Sequence, residues 1–284
     1  MALRIVVCVK QVPDSTNVRI NPKTNTLMRE GVESIVNPFD EHALELALVL
    51  KDRCGAEVTV ISMGPPQATA VLREALARGA DRAFLVSSRA FGGADTLATS
   101  YTLSQAIRAA CGGTAPDLVL FGKQAIDGDT AQVGPGVSEF LDLPLVTYVK
   151  SLELLGGTNG QDARSPAGGL GGTGVPPVQY RATTLMDDGE HEIEGVLPAV
   201  MTVVKEAGAP RFAPLAGAMR AAKAEIAVLD EKTIGADPSR IGFKGSPTHV
   251  VKIFAPPVRE GGRKIRWTGD AGALVREIKE AIHG

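Results

Sequence analysis

From Arg4 to about Leu155 the chain alternates short β-branched runs with longer amphipathic stretches, a rhythm that restricts it to βαβ units around a mostly parallel sheet. The runs Arg4–Lys10, Glu57–Met63, Arg82–Ser87, Asp117–Phe121 and Leu145–Leu152 are predicted strands. They are mostly continuous apolar runs, as expected when helices cover both faces of a sheet. Helices are predicted over Asp40–Arg53, Pro66–Arg78, Asp95–Ala110 and Thr130–Leu141, with Gly79, Gly112 and Pro144 as breakers. Ahead of the first, Asn37 is placed to cap free N–H groups, Pro38 suits the first turn, and Asp40 sits as a capping-box acid.

The rest of the chain is less regular. Ile20–Leu27 reads as a turn or small hairpin where a helix would be expected. Residues 156–174 carry eight glycines and almost no large apolar residue, the composition of a flexible loop. Val178–Met186, Glu190–Val196 and Ala199–Val204 read as further strands, the first two joined by a turn at Asp187-Asp188-Gly189, so the sheet is expected to gain antiparallel members. A short helix spans Leu215–Lys223. Beyond it come strand-like pieces at Ile226–Leu229 and Val250–Phe254 and a helix at Ala271–Ile282, with no obvious second core. The expected division is therefore an α/β domain over 1–223 and an arm over 224–284 that packs on another chain.

Composition narrows the function classes. The 284 residues hold 30 Lys plus Arg against 32 Asp plus Glu, and this balance offers no attraction to nucleic acid. Aromatics at 4% supply no base-stacking platform. Cys8, Cys54 and Cys111 are odd in number and widely spaced, unlike a disulfide framework or zinc site, so a reducing compartment is expected. No stretch has the roughly 20 apolar residues of a membrane span, and the first apolar run is too short for a signal peptide; a cytoplasmic protein is expected.

In an open α/β sheet the ligand lies beyond the carboxyl ends of the strands. After the fourth strand, Gly122–Gly136 forms a long polar loop that runs into a helix N-terminus, where free N–H groups and the helix dipole favour a phosphate. Thr130 and Gln132 add side-chain donors, although Asp129-Thr130 would also serve as a plain helix cap. G-x-G-x-x-G after a strand, G-x-x-x-x-G-K-[ST] and G-x-S-x-G are all missing, and His42, His191, His249 and His283 lack metal-ligand spacing. No catalytic or metal-binding residue is assigned, and Asp127 and Asp129 are read as loop caps.

Six motifs in order, Val9-Lys10-Gln11-Val12-Pro13-Asp14, Val36–Glu41, Gly79-Ala80-Asp81-Arg82, Gly122–Asp127, Leu197-Pro198-Ala199-Val200 and Pro210-Arg211-Phe212 with Met219-Arg220-Ala221, resemble the beta subunit of electron-transfer flavoprotein. The resemblance covers nearly the whole chain. It implies a doubly wound, Rossmann-like fold of the adenine-nucleotide alpha-hydrolase type. It also implies an electron-carrier subunit, not an enzyme by itself, that pairs with an alpha subunit holding the main redox FAD. The implied nucleotide contacts are Cys8, Asn37, Pro38, Phe39, Asp40, Met63, Gly122, Lys123, Gln124, Ala125, Ile126, Asp127, Gly128, Asp129, Thr130, Ala131, Gln132 and Val133.

Members of this family hold AMP, whereas a subgroup performing NADH-linked electron bifurcation holds a second FAD. Phe91–Ser100 and Asp127–Pro135 resemble that subgroup, which adds Asp95, Thr96 and Ser100 as flavin contacts, with Gly92 and Gly93 clearing space for the ring. Asp95 also suits a helix cap. Lys205–Phe212 resembles the loop that docks an acyl-CoA dehydrogenase through an exposed leucine, with Ala207 in the leucine's place. The arm after Lys223 is implied to reach around the alpha subunit. Two other classes remain: a nucleotide-binding sensor without redox chemistry, and an adenylating enzyme. The latter needs a glycine-rich loop where Gln11-Val12-Pro13-Asp14 stands.

Overall fold

The five apolar runs of the first half are all strands in the computed structural model, which describes residues 2–14, 19–20, 27–28, 34–155, 178–249, 251 and 269–283. After β1 (Arg4–Cys8), the strands β2 (Gln11–Pro13) and β5 (Ser34–Val36) pair antiparallel, as do β3 (Arg19–Ile20) and β4 (Leu27–Met28) between them. Helix α1 (Pro38–Cys54) ends on left-handed Gly55, whose N–H donates to the Lys51 carbonyl. Then follow β6 (Glu57–Met63), α2 (Thr69–Arg78), β7 (Arg82–Val86), α3 (Thr96–Ala110), β8 (Leu118–Gly122), α4 (Val133–Leu141), β9 (Leu145–Leu155), β10 (Gln179–Met186), β11 (Gly189–Val196), β12 (Ala199–Val203), α5 (Leu215–Lys223) and β13 (Ala227–Leu229). The glycine-rich loop 156–174 lies outside the described residues.

Nine strands form one sheet in the order β11-β10-β9-β12-β8-β1-β6-β7-β13. Every neighbouring pair from β9 to β13 is parallel, while β10 runs antiparallel to both β9 and β11. The antiparallel addition is thus the β10–β11 ribbon, and β12, expected as one of the antiparallel members, is parallel and central. All five of its residues are buried, the signature of a strand covered on both faces. One apolar layer contains Leu44 and Leu48 of α1 with Leu72 and Ala75 of α2. The other contains Leu103 and Ile107 of α3 with Val137 and Leu141 of α4. Fully buried side chains such as Leu44, Leu48, Ile61 and Leu72 each contribute roughly 1.5–3 kcal/mol.

Residues 224–249, which the sequence assigns to the arm, lie within the first of two compact units, Met1–His249. β13 extends the sheet beside β7, and Ile234 and Ile241 are buried in the second apolar layer. The Arg240 guanidinium lies 4.1 Å from the Tyr101 ring centroid, and the Tyr101 hydroxyl accepts the Asp237 N–H at 3.0 Å. Sequence patterning misses this because the segment buries isolated residues instead of a periodic face. The second unit, Val250–Gly284, contains α6 (Ala271–His283), with Val275, Ile278 and Ile282 exposed. Among the described residues no helix is long and apolar enough to cross a membrane.

Candidate functional site

The chain leaves β1 toward β6 and β7 on one side, then crosses through α3 to β8 on the other side of β1. The segments that follow β1 and β8 therefore diverge at their carboxyl ends, and such a switch point opens a crevice. Asn37 and Asp40, at the start of α1, sit there, both buried.

Neither side chain caps the helix as expected. The Asn37 backbone carbonyl accepts the Asp40 and Glu41 N–H groups, while its side chain provides no cap. Instead its amide donates to the Gln124 carbonyl at 2.8 Å and its Oδ1 accepts the Ile126 N–H at 3.2 Å. A capping box would direct Asp40 to the Asn37 N–H, but that group donates to the Lys10 carbonyl. Asp40 Oδ2 accepts the Lys10 N–H at 2.7 Å and Oδ1 the Gly122 N–H at 3.1 Å, joining the ends of β1 and β8. Gly122 is required here, since a Cβ on it would lie 2.6 Å from the Phe39 carbonyl carbon. Burial pushes the Asp40 carboxyl up to about 7, against hydrogen bonds from Asn37, Lys10 and Gly122 and the charge of Lys10.

The loop from Gly122 to Gln132 is held along its length. The Lys123 N–H donates to the Val203 carbonyl at 2.8 Å, and its ammonium lies 4.8 Å from the Tyr148 ring centroid. Lys10 Nζ contacts both Asp127 oxygens at 2.7 and 2.8 Å, Gln124 donates to Asp129 at 2.8 Å, and Thr96 donates to Gln132 at 2.8 Å. Both loop carboxylates are thereby tied to donors. Helix α4 begins at Val133, later than the expected Thr130, and Gln132 gives its N-terminus no side-chain cap. Asp129 and Ala131 have φ of 50° and 53°, and Gln132 returns to the right-handed region. A left-handed residue followed by a right-handed one turns successive N–H groups to one side, forming a concavity suited to an anion.

Cys8 and Met63 end β1 and β6. Burial, with Asp40 and Cys111 nearby, pushes the Cys8 thiol well above its ordinary value, so it is no nucleophile. Farther along, the 3₁₀ turn Lys205–Ala207 leads to Arg211, which clasps Glu45 with contacts of 2.9–3.0 Å and Asp52 at 2.8 Å. Just beyond, Phe212 is 96% exposed, Leu215 79% and Met219 60%.

An electron transfer flavoprotein domain model matches residues 24–234. The chain belongs to the electron-transfer flavoprotein family. It is 46% identical to the caffeyl-CoA reductase-Etf complex subunit CarD of Acetobacterium woodii, over 98% of both chains. It is 43% identical to an electron transfer flavoprotein subunit beta of Megasphaera elsdenii, over 99% of this chain and 98% of the other. Protein FixA of Azorhizobium caulinodans is 45% identical over 97% and 94%. These whole-length matches place it with the beta-type subunits of electron transfer.

Of the residues that the electron-transfer flavoprotein resemblance marks, the structure brings together Asn37, Asp40 and the loop from Gly122, with Pro38 and Phe39 half-buried beside them and Lys205 4.6 Å above the Phe39 ring. Gly128, Asp129 and Thr130 are exposed, whereas Ala125, Ile126, Ala131 and Val133 are half-buried. The second group is arranged otherwise. Asp95 caps α3 through Ala98 at 3.0 Å and accepts from Thr248 N–H and hydroxyl at 3.1 and 2.8 Å. Ser100 is buried, donating to the Thr96 carbonyl at 2.7 Å. The space beside Gly93 is filled, since a Cβ there would meet Phe243 Cβ at 3.2 Å. Ala207 packs partly buried against the core, and the exposed leucine of this region is Leu215. Lys10, to which the sequence reading gave no role, lies among these residues, its N–H bonded to Asp40 and its ammonium to Asp127; its place at the end of the first predicted strand was the available signal.

Proposed function

We propose that this chain is the nucleotide-holding small subunit of a heterodimeric electron-transfer flavoprotein. In this reading its loop 122–133 takes the phosphate of AMP or of FAD beyond the ends of β1 and β8. The observation that carries it is the loop itself: fixed by partners on four other segments, its acids at 127 and 129 tied away, and ending at an uncapped helix start. An arrangement already ordered loses little entropy on binding. When bound, a flavin supplies the one- and two-electron chemistry; the residues here bind and orient its adenylate half.

A second FAD, to which the Phe91–Ser100 and Asp127–Pro135 motifs point, requires Phe243 to leave Gly93 if its ring lies there. Bifurcation rests on those motifs. The main redox FAD belongs to an alpha subunit, which the segment 250–284, with the exposed apolar residues of α6, is suited to contact. A flavin dehydrogenase, such as an acyl-CoA dehydrogenase, docks on Phe212, Leu215 and Met219, whose burial would contribute roughly 1.5–3 kcal/mol each.

Nucleotide extraction from the heterodimer purified with its natural partner tests the reading. One FAD and one AMP supports the carrier form, and two FAD supports the bifurcating form. A heterodimer with no adenine nucleotide beyond the alpha-subunit flavin overturns the assignment.

A further inference from the structure

We infer that Asp40 is a positioning residue whose ionised carboxylate holds the loop in its binding shape, so that protonation there loosens the loop and weakens nucleotide binding. The inference rests on the nucleotide reading above. Asp40 bridges two main-chain N–H groups that belong to different walls of the crevice, Lys10 after β1 and Gly122 at the end of β8. An ionised carboxylate accepts both. A neutral carboxyl turns one oxygen into a hydroxyl, a weaker acceptor that must also place its own proton, so one of the two N–H bonds weakens. The longer bond, to Gly122 at 3.1 Å, is the one expected to yield. The α1 start packs closely on Gly122, where a Cβ would lie 2.6 Å from the Phe39 carbonyl carbon.

The surroundings do not lock the charge. From β1, Asp40 faces the neutral Cys8 thiol and Lys10; from its own helix, the Asn37 amide. Lys10 is the facing cation, and its ammonium is committed to Asp127 of the loop at 2.7 Å. Burial brings the carboxyl to about 7, within the range a cell traverses.

The test uses the full chain with its natural partner and AMP as probe, titrated at pH 6 and pH 8. A competent fraction set by one group titrating at 7 makes wild-type affinity about tenfold weaker at pH 6. Asp40→Asn should bind weakly at both values, with less than a twofold change between them. Titration of the AMP phosphate is common to both chains and cancels in the comparison. A variant that follows the wild-type pH profile overturns the inference. Should the variant fail to fold, amide exchange of Lys10 and Gly122 in the nucleotide-free wild type decides. Their protection, corrected for intrinsic rates, should fall severalfold from pH 8 to pH 6, and constant protection overturns the inference. Wild type that takes no AMP at either pH overturns the nucleotide reading, and amide exchange then judges Asp40 separately.

Discussion

Folding takes the Asp40 carboxyl out of water, and burial favours its neutral form even though two backbone N–H groups favour the charged one. Its folded value near 7 lies above the ordinary 3.8, so between these values the folded chain holds a proton that the unfolded chain has lost. Stability from this group is therefore present in full below about pH 4 and is lost as pH rises toward 7. Asp40→Asn, which mimics the neutral form, should gain on the wild type as pH rises from 4 to 8, with urea unfolding at each pH as the measurement. A constant difference across that range would contradict the sign. Under the proposed nucleotide role, binding and folding favour opposite protonation states of one side chain.

At the scale of elements, the loop before α4 stores backbone strain at Ala131, where φ is 53° and no side-chain hydrogen bond compensates. Ala131→Gly should stabilise the chain by about 1 kcal/mol in chemical denaturation, since left-handed conformations cost non-glycine residues roughly 1–2 kcal/mol. Helix α5 carries a different expectation. Leu215→Asp should lower kcat/KM with the dehydrogenase donor at least tenfold while leaving melting temperature and nucleotide content unchanged, because Leu215 is already exposed. The bounds of β6 and α5 were legible in the sequence because each is a local pattern: an apolar run, and a short helix between Pro214 and Ala224. So was the loop from Gly122, from its position after a strand. The bonds that give that loop its form were not, since Asp40 to Gly122 and Asn37 to Ile126 span 82 and 89 residues. Asp95 caps α3 as its place in the sequence allows, but its second partner, Thr248, lies 153 residues away and was not legible.

For the whole molecule, the boundary at His249 predicts where the chain tolerates cutting. Residues 1–249 should unfold cooperatively with a melting temperature close to that of the full chain. Residues 1–226 should not, having lost β13 and the buried Ile234 and Ile241. Thermal unfolding by circular dichroism distinguishes the two, and equal behaviour would mean that 227–249 contributes nothing to the core. The central position of β12 also governs the order of events during synthesis. Until residue 203 has left the ribosome, β8 has one bare edge, β9 has no parallel neighbour, and the Lys123 N–H has no carbonyl to meet. The nascent chain therefore exposes two unpaired strand edges through the making of the whole β10–β11 ribbon, a window for chaperone engagement or misassembly.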